Sequence, residues 1–168
     1  QELLSFFGLR VKNLLQEDNV RYDIIDAVLS LPLTDVSAIV SKAKVLEEKK
    51  HISNFKGIVE SLSRVLNIAK KAEGEREISP SLFKQSEEEA LYSAYNELQE
   101  RIHVTIEEQR YSDAFDMLAK LQQPIDDYFD NIMVMTDEEE VKVNRLAQMD
   151  KLASLIARFG DWNKILVK

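Results

Sequence analysis

The sequence contains no cysteine, which excludes disulfide bridges and thiolate metal sites and is typical of proteins from a reducing compartment. It has only four glycines and three prolines among 168 residues, too few for the many short turns of a β-sandwich or β-barrel. Alanine, leucine, glutamate and lysine, which favour helices, are abundant. The composition therefore predicts an all-α protein.

Long hydrophobic runs are also missing. No stretch approaches the roughly 18 consecutive apolar residues that cross a bilayer, and no basic segment is followed by the apolar core of a signal peptide. With 45% hydrophobic residues, the chain can bury one sizeable core. We expect a single domain over residues 1–168, a cytoplasmic location and no membrane partner.

Positive charge is scarce, since the formal net charge is −8. The deficit is uneven, because residues 1–72 hold 11 Lys and Arg against 9 Asp and Glu, whereas residues 73–168 hold 11 against 21. A surface that meets phosphates normally leaves a basic footprint. We therefore expect any such surface in the first part of the chain.

Four helices are predicted in residues 1–72, because apolar residues recur there every three or four positions. The fourth runs from about Asn54 to Ala72. The first runs from Glu2 to about Asp18, and its apolar face consists of Leu3, Phe6, Phe7, Val11, Leu14 and Leu15.

A loop and then helices 5–7 of a bundle of about seven are predicted in the remainder. Residues 73–85 carry most of the helix-breaking residues, and helices 5–7 follow in residues 86–168. The pairs Ser86 with Glu89 and Thr136 with Glu139 match the capping-box pattern at a helix start. Within IDDYFDNIMVM, helical spacing predicts one apolar face against the final helix, formed by Phe129, Ile132 and Met133.

The fourth helix carries a mostly basic stripe opposite its apolar face. Lys56, Glu60, Arg64, Asn67 and Lys71 fall within an arc of about 100°. Lysine and arginine can meet phosphates, and an asparagine can bond the edge of an unstacked base. The stripe is either an RNA-binding surface or an ordinary solvated helix face.

Two further lysines on the third helix, Lys42 and Lys49, lie seven residues apart and hence on one side of that helix. An RNA-binding role requires the basic residues between positions 42 and 71 to share a face of the molecule. A purely architectural packing module instead predicts an exposed apolar patch.

The enzyme alternative depends on Asp126, Asp127 and Asp130. Their D-D-x-x-D spacing is typical of helical enzymes that hold Mg²⁺ and a diphosphate, but it equally suits a polar helix start. His51 and His103 have no neighbouring ligand pattern, and no nucleophile or nucleotide-binding motif occurs. We therefore predict no catalytic residue and no metal site.

Four segments together resemble the C-terminal part of glycyl-tRNA synthetase β subunits, which carries a DALR-type anticodon-binding domain. They are LLSFFGLRVKNLLQEDNVRYDIIDAVLSL at 3–31, SLSRVLNIAKKA at 61–72, RYSDAFDMLAKLQQPIDDYFDNIMVM at 110–135 and NRLAQM at 144–149. The resemblance covers nearly the whole chain in the same order. It departs from the family pattern at Gln148, where an apolar residue is usual, and in lacking the Asp-Ala-Leu-Arg run.

The resemblance implies that the chain reads the anticodon of tRNA(Gly) as part of a longer β subunit. It implies the rest of that subunit and the α subunit as partners, with glycine activation by ATP and Mg²⁺ at the α subunit and no cofactor in this part. The candidate RNA-binding residues are Lys56, Arg64, Asn67 and Lys71, and then Asn144 and Arg145 in the family-like NRLAQM segment. Tyr111 and Trp162 could stack on bases, although core packing is the usual role of such residues.

Overall fold

A computed structural model describes the backbone of residues 2–168 and the side chains from Ser5 onward. Regular structure in this part of the chain is entirely helical, which confirms the all-α prediction. The α-helices are α1 Glu2–Glu17, α2 Tyr22–Leu29, α3 Val36–Lys49, α4 Phe55–Ala69, α5 Ser86–Glu107, α6 Tyr111–Ala119, α7 Gln122–Asn131 and α8 Glu139–Ala157, with 3-10 turns at Pro80–Leu82 and Trp162–Lys164. None of these helices is long and apolar enough to cross a membrane.

The described residues form eight α-helices rather than about seven, because residues 86–168 hold four helices instead of three. Only Lys120 and Leu121 separate α6 from α7. Pro124 is the third residue of α7, where its missing N–H would have no partner within the helix. Leu121 is fully buried and fixes the corner between the two helices.

The predicted capping box at the start of α5 is displaced by one residue. Glu88, not Glu89, accepts hydrogen bonds from the backbone N–H groups of Lys84 at 2.7 Å and Gln85 at 3.0 Å. Gln85 is therefore the residue before the helix, in place of Ser86.

The box predicted from Thr136 and Glu139 does not form. α8 begins at Glu139 itself, after Glu138, and no side chain caps its first turn. Thr136 lies too far from this start to reach the free N–H groups of the first turn.

The long connection predicted at residues 73–85 is present between α4 and α5, although α4 ends at Ala69 rather than Ala72. Lys71 and Ala72 continue in a tighter turn, with their N–H groups donating to the carbonyls of Ile68 and Ala69. Lys71 therefore still projects from the end of α4.

α4 is the central helix, and it packs against α7, α8 and the turn at Trp162–Lys164. α5 packs against α6, α7 and α8, while α1 packs on α2 and α3. The buried apolar residues form one continuous core from Val11 to Ile165. α4 buries one face in this core, with Phe55, Ile58, Val59, Ser61, Leu62, Val65 and Ala69. Its other side remains open to solvent.

Polar contacts fasten α4 to α7. Ser61 donates its hydroxyl hydrogen to Asp126, and the side-chain amides of Asn54 and Gln122 bond each other at the starts of the two helices. Gly57 leaves room for this pair, because a β-carbon there would lie 2.5 Å from the amide nitrogen of Gln122 and would displace that side chain.

The apolar face predicted for the first helix is only partly buried. Val11 and Leu15 belong to the core, whereas Phe6 and Leu14 are 54% and 45% exposed, and Phe7 and Leu9 are exposed as well. Leu3, predicted on the same face, lies outside the described side chains.

Candidate nucleic-acid interface

A surface groove runs between the C-terminal end of α4 and the segment that follows α7. It has a volume of about 420 Å³. We call it the α4–α7 groove, and it is lined by Arg64, Asn67, Ile68, Lys71, Phe129, Ile132, Met133, Val134 and Met135. Three of the predicted RNA-binding residues thus share one groove with exposed apolar side chains.

The outer wall of the groove is a non-helical segment that starts extended at Ile132 and turns at Val134 and Met135. α7 ends at Asn131, and Ile132 has the β conformation, with φ −113° and ψ 128°. From Ile132 to Met135, successive side chains alternate between the core and the surface. Ile132 and Val134 are accordingly buried, whereas Met133 is 71% exposed and Met135 43% exposed.

The prediction that Phe129, Ile132 and Met133 form one apolar helix face is therefore wrong, because Ile132 and Met133 both lie beyond the end of α7, and only Ile132 of these two is buried. The helix stops before them, so Met133 leaves the core and faces the groove. All four residues of IMVM are apolar, so the sequence carries no apolar–polar alternation that could have identified the groove.

Arg64 and Phe129 lie together on one side of the groove. The guanidinium carbon of Arg64 lies 4.2 Å from the centre of the Phe129 ring. This contact is within cation–π range and holds the long arginine side chain in place. Bases that leave a stacked helix are commonly received on aromatic rings and guanidinium planes.

Asn67 and Lys71 add hydrogen-bonding groups and charge at the groove. Both are exposed, and the Asn67 side-chain oxygen is 3.4 Å from Lys70 Nζ. Lys56 shares the same side of α4 but does not line the groove, and it lies 3.8 Å from Glu60 one turn away. The groove therefore contains the C-terminal part of the predicted stripe.

Arg145 is in the interior, not on the surface. Its side chain is 5% exposed, and its Nε and Nη2 atoms donate to the carboxylate of the fully buried Glu88 at 2.8 and 3.3 Å. Nη1 donates to the backbone carbonyl of Met133 at 2.8 Å. Arg145 thus holds the wall of the groove from behind.

The Glu88 carboxylate remains ionised in this setting. Burial alone would raise its pKa, but hydrogen bonds from Arg145 and from the N–H groups of Lys84 and Gln85 bring the pKa below its ordinary value. The pair is therefore a charged anchor between the start of α5, α8 and the non-helical segment after α7.

Asn144 is likewise buried, at 4% exposure. Its side-chain oxygen accepts from the N–H of Ser79 at 2.7 Å, and its amide nitrogen donates to the carbonyl of Ser79 at 3.0 Å. It fastens the long connection onto α8. Neither Asn144 nor Arg145 presents a side chain to a ligand, and we leave both out of the RNA surface proposed below.

The two lysines of α3 do not share the face of Arg64. Lys42 is buried, donates to the carbonyl of Arg158 at 2.9 Å, and has a pKa lowered by burial. Lys49 lies 2.8 Å from the Asp116 carboxylate on α6. Positive charge is therefore concentrated at the end of α4 rather than along residues 42–71.

Two of the three aspartates of α7 are accounted for by local contacts. Asp126 bonds Ser61, and Asp127 accepts from Gln123 at 2.8 Å. Among the described residues, no three His, Cys, Asp or Glu side chains are grouped as metal ligands. The arrangement gives the magnesium–diphosphate alternative no support.

Tyr111 and Trp162 belong to the core, as the usual role of such residues suggested. They are 5% and 1% exposed, and Trp162 donates its indole N–H to the carbonyl of Ile156 at 3.1 Å. Trp162 packs against Phe115 and Phe159, with ring centres 6.0 and 5.8 Å away. Neither ring is available at the surface for stacking on a ligand.

These features define a helical binding domain with a basic and apolar groove. A family model described as DALR anticodon binding domain matches residues 58–161, and the chain belongs to this family. The match includes α4 from residue 58 onward, all of α7 and α8, and every residue that lines the groove.

The chain is similar over its whole length to glycine–tRNA ligase β subunits. It is 41% identical over 168 residues to that of Halalkalibacterium halodurans, with all of this chain and 24% of the relative covered. It is 41% identical to that of Bacillus subtilis, with 99% and 24% covered, and 41% identical to that of Lactobacillus acidophilus, with 100% and 24% covered. The chain thus spans about a quarter of the length of these relatives.

Proposed function

We propose that this chain binds the anticodon loop of tRNA(Gly) through the α4–α7 groove, as part of a cytoplasmic glycine–tRNA ligase. One observation carries the proposal: Arg64 stacked on Phe129, Asn67, Lys71 and the exposed Met133 meet in one groove. Membership of the DALR family and similarity to glycine–tRNA ligase β subunits support it.

The chemistry of the groove suits an unstacked loop. A base that leaves the loop can stack on the Arg64–Phe129 surface and contact Met133, while Asn67 offers donors and an acceptor to its edge. Lys71 can meet a backbone phosphate. The local positive charge is favourable although the whole chain carries −8.

The proposal assigns no chemical step to this chain. Glycine activation, with ATP and Mg²⁺, belongs to the α subunit, and the chain cooperates with that subunit and with the rest of the β subunit. The contribution of the chain is to select the tRNA by its anticodon. The free energy of binding is then lower for the tRNA with the matching anticodon than for other tRNAs, and this difference is the basis of specificity.

A titration of the chain with tRNA(Gly) and with a tRNA of altered anticodon, at several salt concentrations, tests the proposal. Arg64→Ala and Lys71→Ala should each weaken binding and lower the salt slope by about 0.7 per lost phosphate contact. Asn67→Ala should reduce discrimination between the two tRNAs by about 1–3 kcal/mol with little change in slope. Lys56→Ala should have a smaller effect than Lys71→Ala, because Lys56 lies outside the groove.

Lys44→Ala is the matched control, since Lys44 is an exposed lysine on α3, paired with Asp18 at 3.1 Å. It should bind both tRNAs like the parent protein. If the three groove variants fold normally and also bind like the parent, the groove is not the anticodon surface and the proposal is wrong.

A second candidate role is packing against the remainder of a longer β subunit. The exposed Phe6, Phe7, Leu9 and Leu14 of α1 favour it, because four large apolar side chains on one helix are unusual at a surface left in water. α1 packs on α2 and α3, away from the groove, so both roles are compatible.

Co-purification with the remaining part of the β subunit, expressed separately, tests the packing role. Phe6→Ser with Leu14→Ser should abolish co-purification while leaving tRNA binding unchanged. The exposed polar pair Asn13→Ser and Gln16→Ser on the same helix is the control. Unchanged co-purification of the apolar double variant would exclude α1 as the packing surface.

A further inference from the structure

A second pocket adjoins the α4–α7 groove, and Lys71 and Met135 line both. It has a volume of about 210 Å³ and lies between the turn after α4 and the first turns of α8. Its floor is apolar, with Val143, Leu146 and Ala147 of α8. We call it the α8 pocket.

The pocket is held open by the fold. Gly74 takes the left-handed conformation, with φ +71°, and turns the chain at the rim. Further along this connection, the two hydrogen bonds between Asn144 and Ser79 fasten it onto α8. The position of Arg76 over the pocket is thus set by contacts that do not involve Arg76 itself.

Charged side chains surround the apolar floor, three of them cationic (Lys71, Arg76 and Lys142) and two anionic (Glu73 and Glu139). Arg76 is exposed and makes no ion pair among the described contacts, while Lys142 pairs with Glu139 at 2.5 Å on the first turn of α8. Lys71 lies at the junction with the groove. With Lys142 and Glu139 paired, the rim keeps one net positive charge from Lys71 and Arg76 against Glu73. An apolar floor beside exposed cations suits one nucleotide, whose base is flat and apolar on its faces and whose phosphate is anionic.

We propose that the α8 pocket binds a second unstacked nucleotide of the RNA strand, adjacent to the nucleotide in the α4–α7 groove. Lys71 meets the phosphate that links the two nucleotides, and Arg76 meets the phosphate on the far side of the second. This inference rests on the proposed function, since it takes for granted that the groove receives an RNA loop. It adds a second subsite, with its own residues, that reads the neighbouring position.

The test uses the anticodon stem-loop of tRNA(Gly), with each loop nucleotide replaced in turn by an abasic one. In the parent protein, removal of the base at either of two adjacent positions should weaken binding about 5- to 150-fold, the range for one stacked base. Val143→Trp fills the α8 pocket without a change of charge. In this variant, removal of the base at one of these two positions should no longer weaken binding. In Arg64→Ala, removal of the base at the other position should no longer weaken binding.

Val45→Trp is the control for Val143→Trp, because Val45 is an equally half-buried valine on α3, remote from the pocket. Arg76→Ala provides a second route that does not alter packing, since Arg76 is exposed, and it should flatten the salt dependence by about 0.7 in slope. This variant decides the matter if Val143→Trp fails to fold.

The outcomes separate the two proposals. If Arg64→Ala weakens binding but Val143→Trp and Arg76→Ala leave affinity, salt slope and abasic profile unchanged, the α8 pocket is not a subsite and the proposed function stands. If Arg64→Ala also binds like the parent protein, both proposals are wrong. The pair of subsites is supported if removal of the base at one position no longer weakens binding to Val143→Trp, and removal of the base at the adjacent position no longer weakens binding to Arg64→Ala.

Discussion

At the scale of single residues, the interior around Glu88 and Arg145 combines a satisfied ion pair with an unsatisfied hydroxyl. The carboxylate and guanidinium are bound on several sides, whereas the nearby hydroxyl of Tyr128 is buried and has no hydrogen-bond partner among the described residues. Burial raises the pKa of Tyr128, which therefore stays neutral. The bonded Glu88–Arg145 pair therefore stabilises the folded state, whereas the unpartnered Tyr128 hydroxyl lowers its stability.

Tyr128→Phe should leave stability unchanged or raise it. A buried polar group without a partner costs about 1–3 kcal/mol, and the substitution removes that group while keeping the ring in the core. Urea unfolding of the variant and of Tyr22→Phe, where the ring is 62% exposed, would measure the difference. A loss of stability in Tyr128→Phe would show that water or another group satisfies the hydroxyl.

Glu88→Gln should lower the free energy of unfolding by about 3–5 kcal/mol near neutral pH, because it leaves the Arg145 charge buried without its partner. The folded pKa of Glu88 lies below its ordinary value of 4.5, so the unfolded state binds the proton more readily. The stability due to Glu88 is therefore present above pH 4.5 and lost as the pH falls through the lower folded pKa.

The difference in the free energy of unfolding between Glu88→Gln and the parent protein should accordingly become smaller at acid pH. Urea unfolding at about pH 7 and about pH 3 would show this, with the exposed Glu89→Gln on the same turn as control. An equal difference at both pH values would mean that Glu88 is not the titrating group.

At the scale of elements, the non-helical segment after α7 decides what the groove presents. Ile132→Ala should cost about 2–5 kcal/mol, because Ile132 is only 6% exposed and leaves a cavity. Met133→Ala should change stability by no more than about 0.5 kcal/mol and should weaken RNA binding. Thermal unfolding and the tRNA titration measure the two effects separately, and the reverse pattern would restore the helical interpretation of this segment.

The sequence predicts helices well where apolar residues recur at a single helical spacing. α4 has a strong apolar period, so its buried face and the positions of Arg64, Asn67 and Lys71 follow from spacing alone. At IMVM all four residues are apolar, so the sequence does not show where the helical period of α7 ends. The groove wall was therefore missed, although the residues opposite it were identified.

Polar residues of the interior were harder to predict, because their partners are distant in sequence. Arg145 meets Glu88 across 57 positions, and Asn144 meets Ser79 across 65. No local pattern distinguishes an arginine destined for a buried carboxylate from one that faces RNA. The same limit explains the displaced capping box, since Glu88 is selected over Glu89 by its contact with Arg145.

At the scale of the whole molecule, residues outside the family match are built into the same core. The DALR model begins at residue 58, yet Val11, Leu15, Ile24 and Leu46 belong to the continuous apolar cluster. A buried polar clasp also joins the early helices to the end of the chain. Asp23, 2% exposed, accepts from Arg21 at 2.5 and 2.7 Å and from the backbone N–H of Leu166 at 2.6 Å.

We therefore predict that residues 1–168 unfold as one cooperative unit and that Asp23→Asn destabilises both ends together. Burial alone would raise the pKa of Asp23, but the bonds from Arg21 and Leu166 lower it, so the clasp is charged at neutral pH. Loss of hydrogen bonds to a charged group should cost about 1.5–3 kcal/mol. The exposed Asp26→Asn on the same helix is the control.

Two probes report on different parts of the molecule during urea unfolding. Fluorescence of Trp162, the only tryptophan, follows the core near the end of the chain, and hydrogen exchange of the α2 amides follows the early helices. In a single cooperative unit both give the same free energy, and Asp23→Asn lowers both values equally. Separate transitions, with Asp23→Asn affecting only α2, would instead show that residues 1–57 form a module that docks on the family domain and can leave it.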